Sequence, residues 1–289
     1  MNKAGRGLIP MLGRVPGLLA TCHQRCLAAV FFMEGDSDPE LEDFKHQLSR
    51  DRTPTVLVRL NSPQELAAEL FKWEVATALA CVSFGVNPFS EPDFREGRER
   101  TAELVEALAT KGELPRRTVR VRDAGVELFA EGNTRQEIST LSLTDALRTF
   151  LELKGPRGYV AILAFVEQST LVETALERLR QQLVSHLAIP VLLGFGPRYL
   201  HYSGQVFKGG PAKGIFLILT SEPKQDIEIP GAGYSFGQLR LALALGDFES
   251  LESRRKFVVH LHLAEGVERG LVQLEQVIQS ALRSTRSVT

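Results

Sequence analysis

The sequence predicts an α/β fold, a doubly wound and mainly parallel sheet flanked by helices, with a β-hairpin inserted. Short runs such as Tyr159–Phe165 and Gly214–Thr220 are apolar throughout and of strand length, as strands covered on both faces are. They alternate with amphipathic stretches of helical period, which is the rhythm of βαβ units. The chain has 289 residues, 44% hydrophobic and 24% charged, the balance of a globular protein able to bury a large core.

Taken in order, Cys26–Met33 is a first apolar run of strand length. Asp36-Ser-Asp-Pro-Glu40 then starts a helix, with an acidic cap region and Pro39 in the first turn. Thr55–Leu60 is the second strand. Asn61-Ser-Pro63 caps a long helix through Leu66, Leu70, Trp73 and Thr77 to about Cys81. Gly85, Pro88 and Pro92 break that helix, and another runs from about Asp93 to Thr110. Thr118–Ala130 alternates apolar with polar around Asp123-Ala124-Gly125, a hairpin with one solvated face, outside the parallel core. Tyr159–Phe165, Ile189–Gly194, Gly214–Thr220 and Phe257–Leu263 complete six core strands. Helices at Thr170–His186, Tyr234–Asp247 and Val267–Arg283 connect and close them, which places sites at the strand carboxyl ends.

Charge and composition exclude several classes. Lys plus Arg number 34 against 35 Asp plus Glu, a net charge of -1, which argues against nucleic-acid binding through bulk charge. No apolar run reaches the roughly 18 residues of a membrane span. Gly13, Arg14, Pro16 and Gly17 interrupt the apolar stretch a signal peptide would need, so a cytoplasmic location is expected. Cys22, Cys26 and Cys81 are too few for a disulfide framework, and Cys22-His23 with Cys26 lacks the second ligand pair of a zinc site.

The richest polar stretch follows the strand ending near Gly194 and runs to Pro211. A loop this long at a strand end is a candidate site. It offers Arg198 and Lys208 for an anion, His201 for proton transfer, and Ser203 and Gln205 as hydrogen-bond partners, with the Gly209 and Gly210 N–H groups beside them. The kink Val86–Asp93 and the helix start beyond it form a second candidate, where Arg95, Arg98 and Arg100 read more simply as a solvated face. His260 and His262 share one face of a strand and read as packed or edge histidines, with no third metal ligand. Neither Gly5-Arg-Gly7 nor Gly194-Phe-Gly196 has the spacing of a phosphate-binding P-loop.

Phe71–Ala80 running into Gly85-Val-Asn-Pro-Phe-Ser-Glu-Pro-Asp93 resembles glucose-6-phosphate isomerase, in particular the isomerase part of bacterial bifunctional transaldolase/phosphoglucose isomerase proteins. Arg198–Pro211 is similar to that group's Leu-His-Ser-Thr-Gly-Gln loop with its Lys-Gly-Gly-Pro extension. Ile229-Pro230, Phe236-Gly237 and Ala244-Leu-Gly-Asp247 continue the likeness. The resemblance implies a flavodoxin-like sugar-isomerase (SIS) domain over 26–289, with 1–25 as the remnant of a preceding segment. It implies interconversion of glucose 6-phosphate and fructose 6-phosphate through a cis-enediol, by acid–base chemistry without cofactor or metal. His201 then takes the ring-opening position, and Arg98 stands where the family has a lysine. Arginine keeps the charge but cannot release a proton at neutral pH. Arg198, Ser203, Gln205 and Lys208 become substrate-binding candidates. Lys3–Pro10 is similar to the family segment that follows its catalytic glutamate, so that base falls ahead of Met1. The expected partners are a hexose phosphate and a complementary chain carrying the first SIS domain, with neither nucleic acid nor membrane. A non-catalytic sugar-phosphate-binding or assembly module of the same descent is the alternative.

Overall fold

Strands β1 (Ala28–Met33) and β2 (Thr55–Leu60) pair in parallel around helix α1 (Pro39–Arg50) and form a two-stranded sheet of their own. This computed structural model describes residues 27–283 other than 34, 36, 37, 91, 139–141, 156, 157, 202 and 211–213, with the backbone alone at 92–94. Cys22, His23, Cys26 and the Lys3–Pro10 segment therefore lie outside the described residues. The Asp38 carboxylate caps α1 by accepting from the Glu40 N–H at 3.0 Å, and Pro39 fills the first helical position, where no N–H is needed. Leu41 and Leu48 close on Val30 as a small core.

Helix α2 (Glu65–Phe84) starts later than the Asn61–Pro63 cap suggested. Asn61 acts in the opposite sense: its N–H donates to the Glu65 carboxylate at 3.0 Å, and Gln64 precedes the helix without a side-chain cap. The end at Gly85 follows from backbone freedom, because φ is 65° there and its N–H satisfies carbonyls of the last turn. Helix α3 (Pro92–Lys111) begins beyond the kink.

The second sheet holds six strands in the order β3-β4-β8-β7-β5-β6. Strands β5 (Tyr159–Phe165), β6 (Val191–Phe195), β7 (Gly214–Ser221) and β8 (Phe257–Leu263) are mutually parallel. The hairpin β3 (Val121–Asp123) and β4 (Val126–Phe129) turns at Ala124-Gly125 and adds to β8 in antiparallel sense, at the edge of the parallel ladder. The architecture is α/β with a mostly parallel sheet, as expected. The expected six strands of one core are instead divided, two in the first sheet and four in the second.

Helices α4 (Gly132–Glu137) and α5 (Leu143–Glu152) fill a stretch the sequence left unassigned. Ser142 caps α5, whose Leu143, Leu147 and Phe150 are fully buried, each contributing roughly 1.5–3 kcal/mol. Helices α6 (Thr170–Leu187) and α9 (Val267–Arg283) join α5 on one face of the sheet. The other face carries α7 (Gly204–Gly209) and α8 (Phe236–Ser253). Leu104 and Leu108 of α3 meet Leu245 and Ala242 of α8, and Thr101 fits against Gly246 where a Cβ would collide. The rising numbers on α3 match falling numbers on α8, so the two helices run antiparallel.

Candidate functional site

The segment after β6 is a crossover folded into helices. It leaves the carboxyl end of β6, forms a 3-10 turn at Arg198–His201, passes through α7 and enters β7 at its amino end. Its glycines suggested an open loop, but its polar side chains hold it closed. Tyr199 is buried, edge-on to Phe165 at 5.8 Å, and its hydroxyl donates to the Asp247 carboxylate. Lys208 Nζ lies 2.8 Å from Asp247 Oδ1, with both side chains nearly inaccessible to solvent (2% and 3%). The Ser203 N–H and hydroxyl both donate to the Tyr199 carbonyl, at 2.9 and 3.3 Å. Lys256 ties down the far end by donating to the Gly210 carbonyl.

Ser203, Gln205 and Lys208, expected to face a substrate, are thus turned inward and buried. For Lys208 the reason is the Asp247 carboxylate, which accepts from Tyr199 and neutralises the buried ammonium. Arg198 and His201 remain exposed. Arg198 reaches an open groove of about 600 Å³ with Gln168, Glu173 and Phe195. The other guanidiniums there are engaged, Arg178 by Glu275 at 3.3 Å and Arg180 by Glu177 at 2.7 Å.

The helix that follows the Phe71–Asp93 segment of the family resemblance meets the crossover that carries the other segment. Gly97 lies against the Lys208 ammonium so closely that a Cβ on it would stand 2.5 Å from Nζ. Arg98, the next residue, is exposed beside this contact. Glu96, on the other side, accepts from Arg254 at 2.7 and 2.9 Å and from Ser253 at 3.0 Å. Partial burial opposes its ionisation, but these hydrogen bonds and that from Arg100 outweigh it and hold the carboxyl below its ordinary range. Ser253 and Arg254 lead through Lys256 into the amino end of β8, so Arg98 is anchored at the amino side of the sheet. Sites are expected at the strand carboxyl ends, and the position that the resemblance gives Arg98 as the family's lysine lies instead at the amino side. Antiparallel packing of α3 along α8 brings its start to the Lys208 end of the crossover, away from the Arg198 end.

A second polar cluster went unread in the sequence. Thr220 Oγ1, one residue from the end of β7, lies 2.7 Å from His260 Nε2 and 2.9 Å from His262 Nδ1 on β8. His260 is packed, as expected, between Phe129 (5.0 Å, stacked) and Phe248 (6.4 Å). Burial pushes it down to about 3, with Arg117 and His262 adding to the effect. The period-two spacing gave the shared face, but nothing in it pointed to Thr220. Among the described residues no three His, Cys, Asp or Glu side chains are grouped to hold a metal ion, and no helix is long and apolar enough to cross a membrane. No family model matches the chain, and no curated protein does. Among solved structures, the chain is similar to a hypothetical protein, TT0462 from Thermus thermophilus, at 16% identity and a TM-score of 0.42, over 92% of this chain and 67% of that one.

Proposed function

We propose that this chain supplies one part of a hexose-phosphate isomerase site, and that a complementary α/β chain supplies the carboxylate base. The observation that carries the reading is the contact of Gly97 with Lys208, which sets the helix following one motif of the family resemblance against the other motif, across more than a hundred residues of sequence. In this arrangement Lys208, Asp247 and Tyr199 fix the crossover, His201 and Arg198 stay accessible on it, and Arg98 supplies a fixed positive charge near its far end. His201 opens the sugar ring by proton transfer, and Arg98, at the other end of the crossover, takes no part in that step.

The need for a second chain is supported by the first sheet. Parallel strands are normally covered on both faces, yet Leu57 is 56% exposed. Helix α2 is apolar almost all round, the character of a buried helix, while Phe71, Leu79 and Val82 are 68%, 64% and 75% exposed. The inward-turned Ser203, Gln205 and Lys208 favour a second reading, a sugar-phosphate-binding or assembly module without turnover.

A coupled assay of fructose 6-phosphate conversion separates the two. The chain alone is expected to show negligible turnover, since a positioned acid or base is worth ~10²–10⁴-fold. Adding a chain carrying the complementary SIS domain is expected to produce turnover. Binding of fructose 6-phosphate by the mixture without conversion would select the non-catalytic module, and neither binding nor conversion would end both readings.

A further inference from the structure

Strand β6 stands at one end of the larger sheet and, among the described residues, pairs with β5 alone. The direction of its backbone groups follows from the bonds at its two ends. The Val160 N–H donates to the Pro190 carbonyl at 3.0 Å, and the Gly196 N–H donates to the Ala164 carbonyl at 2.9 Å. Backbone groups alternate sides along a strand, so Pro190, Leu192, Gly194 and Gly196 face β5. The N–H and carbonyl groups of Leu193 and Phe195 therefore turn away from β5, to the outer edge. Val191 shares that direction but is wholly buried, which confines the open edge to Leu193 and Phe195.

Sheet edges are commonly guarded by charge or by shortness. Strand β3, at the other end of the sheet, has both guards: it is three residues long and carries Arg122 and Asp123. Strand β6 reads Val-Leu-Leu-Gly-Phe, without a charge. Beside it lies the groove of about 600 Å³, floored by half-buried Leu193 and Phe195 and walled by α6. The charges of that groove are matched except at one end. Glu177 pairs with Arg180, and Arg178 pairs with Glu275 on α9. Glu173 accepts from the Gln168 amide and sits in the first turn of α6, where the helix dipole favours a carboxylate. Arg198, just past the carboxyl end of β6, is exposed, with no carboxylate in ion-pair contact among the described residues.

An edge that offers backbone donors and acceptors is completed by another strand, and an uncommitted guanidinium at its end selects a carboxylate. We propose that β6 binds the carboxy-terminal end of another polypeptide, added to the sheet as a parallel strand at Leu193 and Phe195, with its terminal carboxylate on Arg198. Charge sets the direction: an antiparallel segment ending there would bring its amino terminus against the guanidinium. Length sets the terminus. The ladder is closed at one end by buried Val191 and at the other by Pro197, which has no N–H to extend it, so it suits the last few residues of a chain. Alternate side chains of the added strand fall into the groove over Leu193 and Phe195, which calls for apolar residues there. The proposal does not rest on the isomerase reading.

The peptide acetyl-Ser-Val-Thr-Val, with a free carboxylate or amidated, tests it through ¹H–¹⁵N spectra and amide exchange of the full chain. Its valines stand at alternate positions, so both can face the groove. In the chain alone, the Leu193 and Phe195 N–H groups are expected to exchange faster than those of Leu192 and Gly194. The free acid is expected to shift the Leu193 and Phe195 signals saturably and to slow exchange at both. Amidation, or Arg198→Ala on the exposed guanidinium, is expected to weaken binding roughly tenfold or more, as loss of a charge-assisted hydrogen bond does. Slow exchange at Leu193 and Phe195 without peptide would overturn the proposal, because the edge would already be covered. So would signals unmoved by the free acid, an amide that binds as tightly as the acid, or an Arg198→Ala chain that binds like the native one.

Discussion

Replacing Lys208 with Met removes the cation of the buried pair while leaving most of the side-chain volume. In the native chain Nζ lies 2.8 Å from Asp247 Oδ1, with side chains 2% and 3% exposed. Water cannot take over the ammonium's role at that depth, and among the described residues the Tyr199 hydroxyl is left to compensate the carboxylate. Removing one partner of a buried pair costs about 3–5 kcal/mol, against the 5–15 kcal/mol that holds a typical domain folded. The surviving Tyr199 bond puts the expectation near ~3 kcal/mol, roughly a hundredfold in the folding equilibrium. Urea unfolding followed by circular dichroism reads it directly. Lys208→Met combined with Asp247→Leu should recover much of the loss, because no unpaired charge remains. A loss below about 1 kcal/mol for Lys208→Met, the size of an exposed pair, would refute the reasoning.

Gly97→Ala should cost ~1–3 kcal/mol by pushing the Lys208 ammonium off Asp247, and in a Lys208→Ala background most of that cost should vanish in a double-mutant cycle by urea unfolding. His260 is lowered from 6.5 to about 3 in the folded chain, so the unfolded chain binds the extra proton first. Its contribution is complete above about pH 6.5 and is lost as pH falls towards 3, by up to ~1.4 kcal/mol per pH unit, and His260→Phe should flatten the urea midpoint over that window. Phe71→Ser with Leu79→Ser should reduce self-association in sedimentation without lowering the unfolding midpoint, since both side chains are largely exposed. An unfolding loss like that of a core truncation would show instead that they pack within this chain.

Much of the fold was legible because its elements announce themselves locally. β2, β5 and β8 have the limits their apolar runs suggested, and α9 begins at Val267 and ends at Arg283. Pairing was not legible. Nothing within Cys26–Met33 or Thr55–Leu60 records that these strands join each other and not the larger sheet, because pairing depends on what their helices pack against. α5 escaped notice although Leu143, Leu147 and Phe150 have helical spacing and Ser142 is an ordinary cap. In the crossover, the composition around Lys208 suggested ligand contacts. What turns Lys208 inward is Asp247, distant in sequence, on a helix whose approach only the folded chain defines. His260 and His262 were placed on one face correctly, yet the hydroxyl that links them belongs to another strand.

The isomerase reading stands most directly on what His201 does in the reconstituted two-chain enzyme. The measurement is turnover of cyclic fructose 6-phosphate and of a sugar phosphate that cannot close its ring, for the native chain and for His201→Ala. Ring opening by His201 predicts a loss of ~10²–10⁴-fold on the cyclic substrate and little change on the open one. An equal loss on both would contradict it and would leave His201 as a residue that only holds the crossover in place.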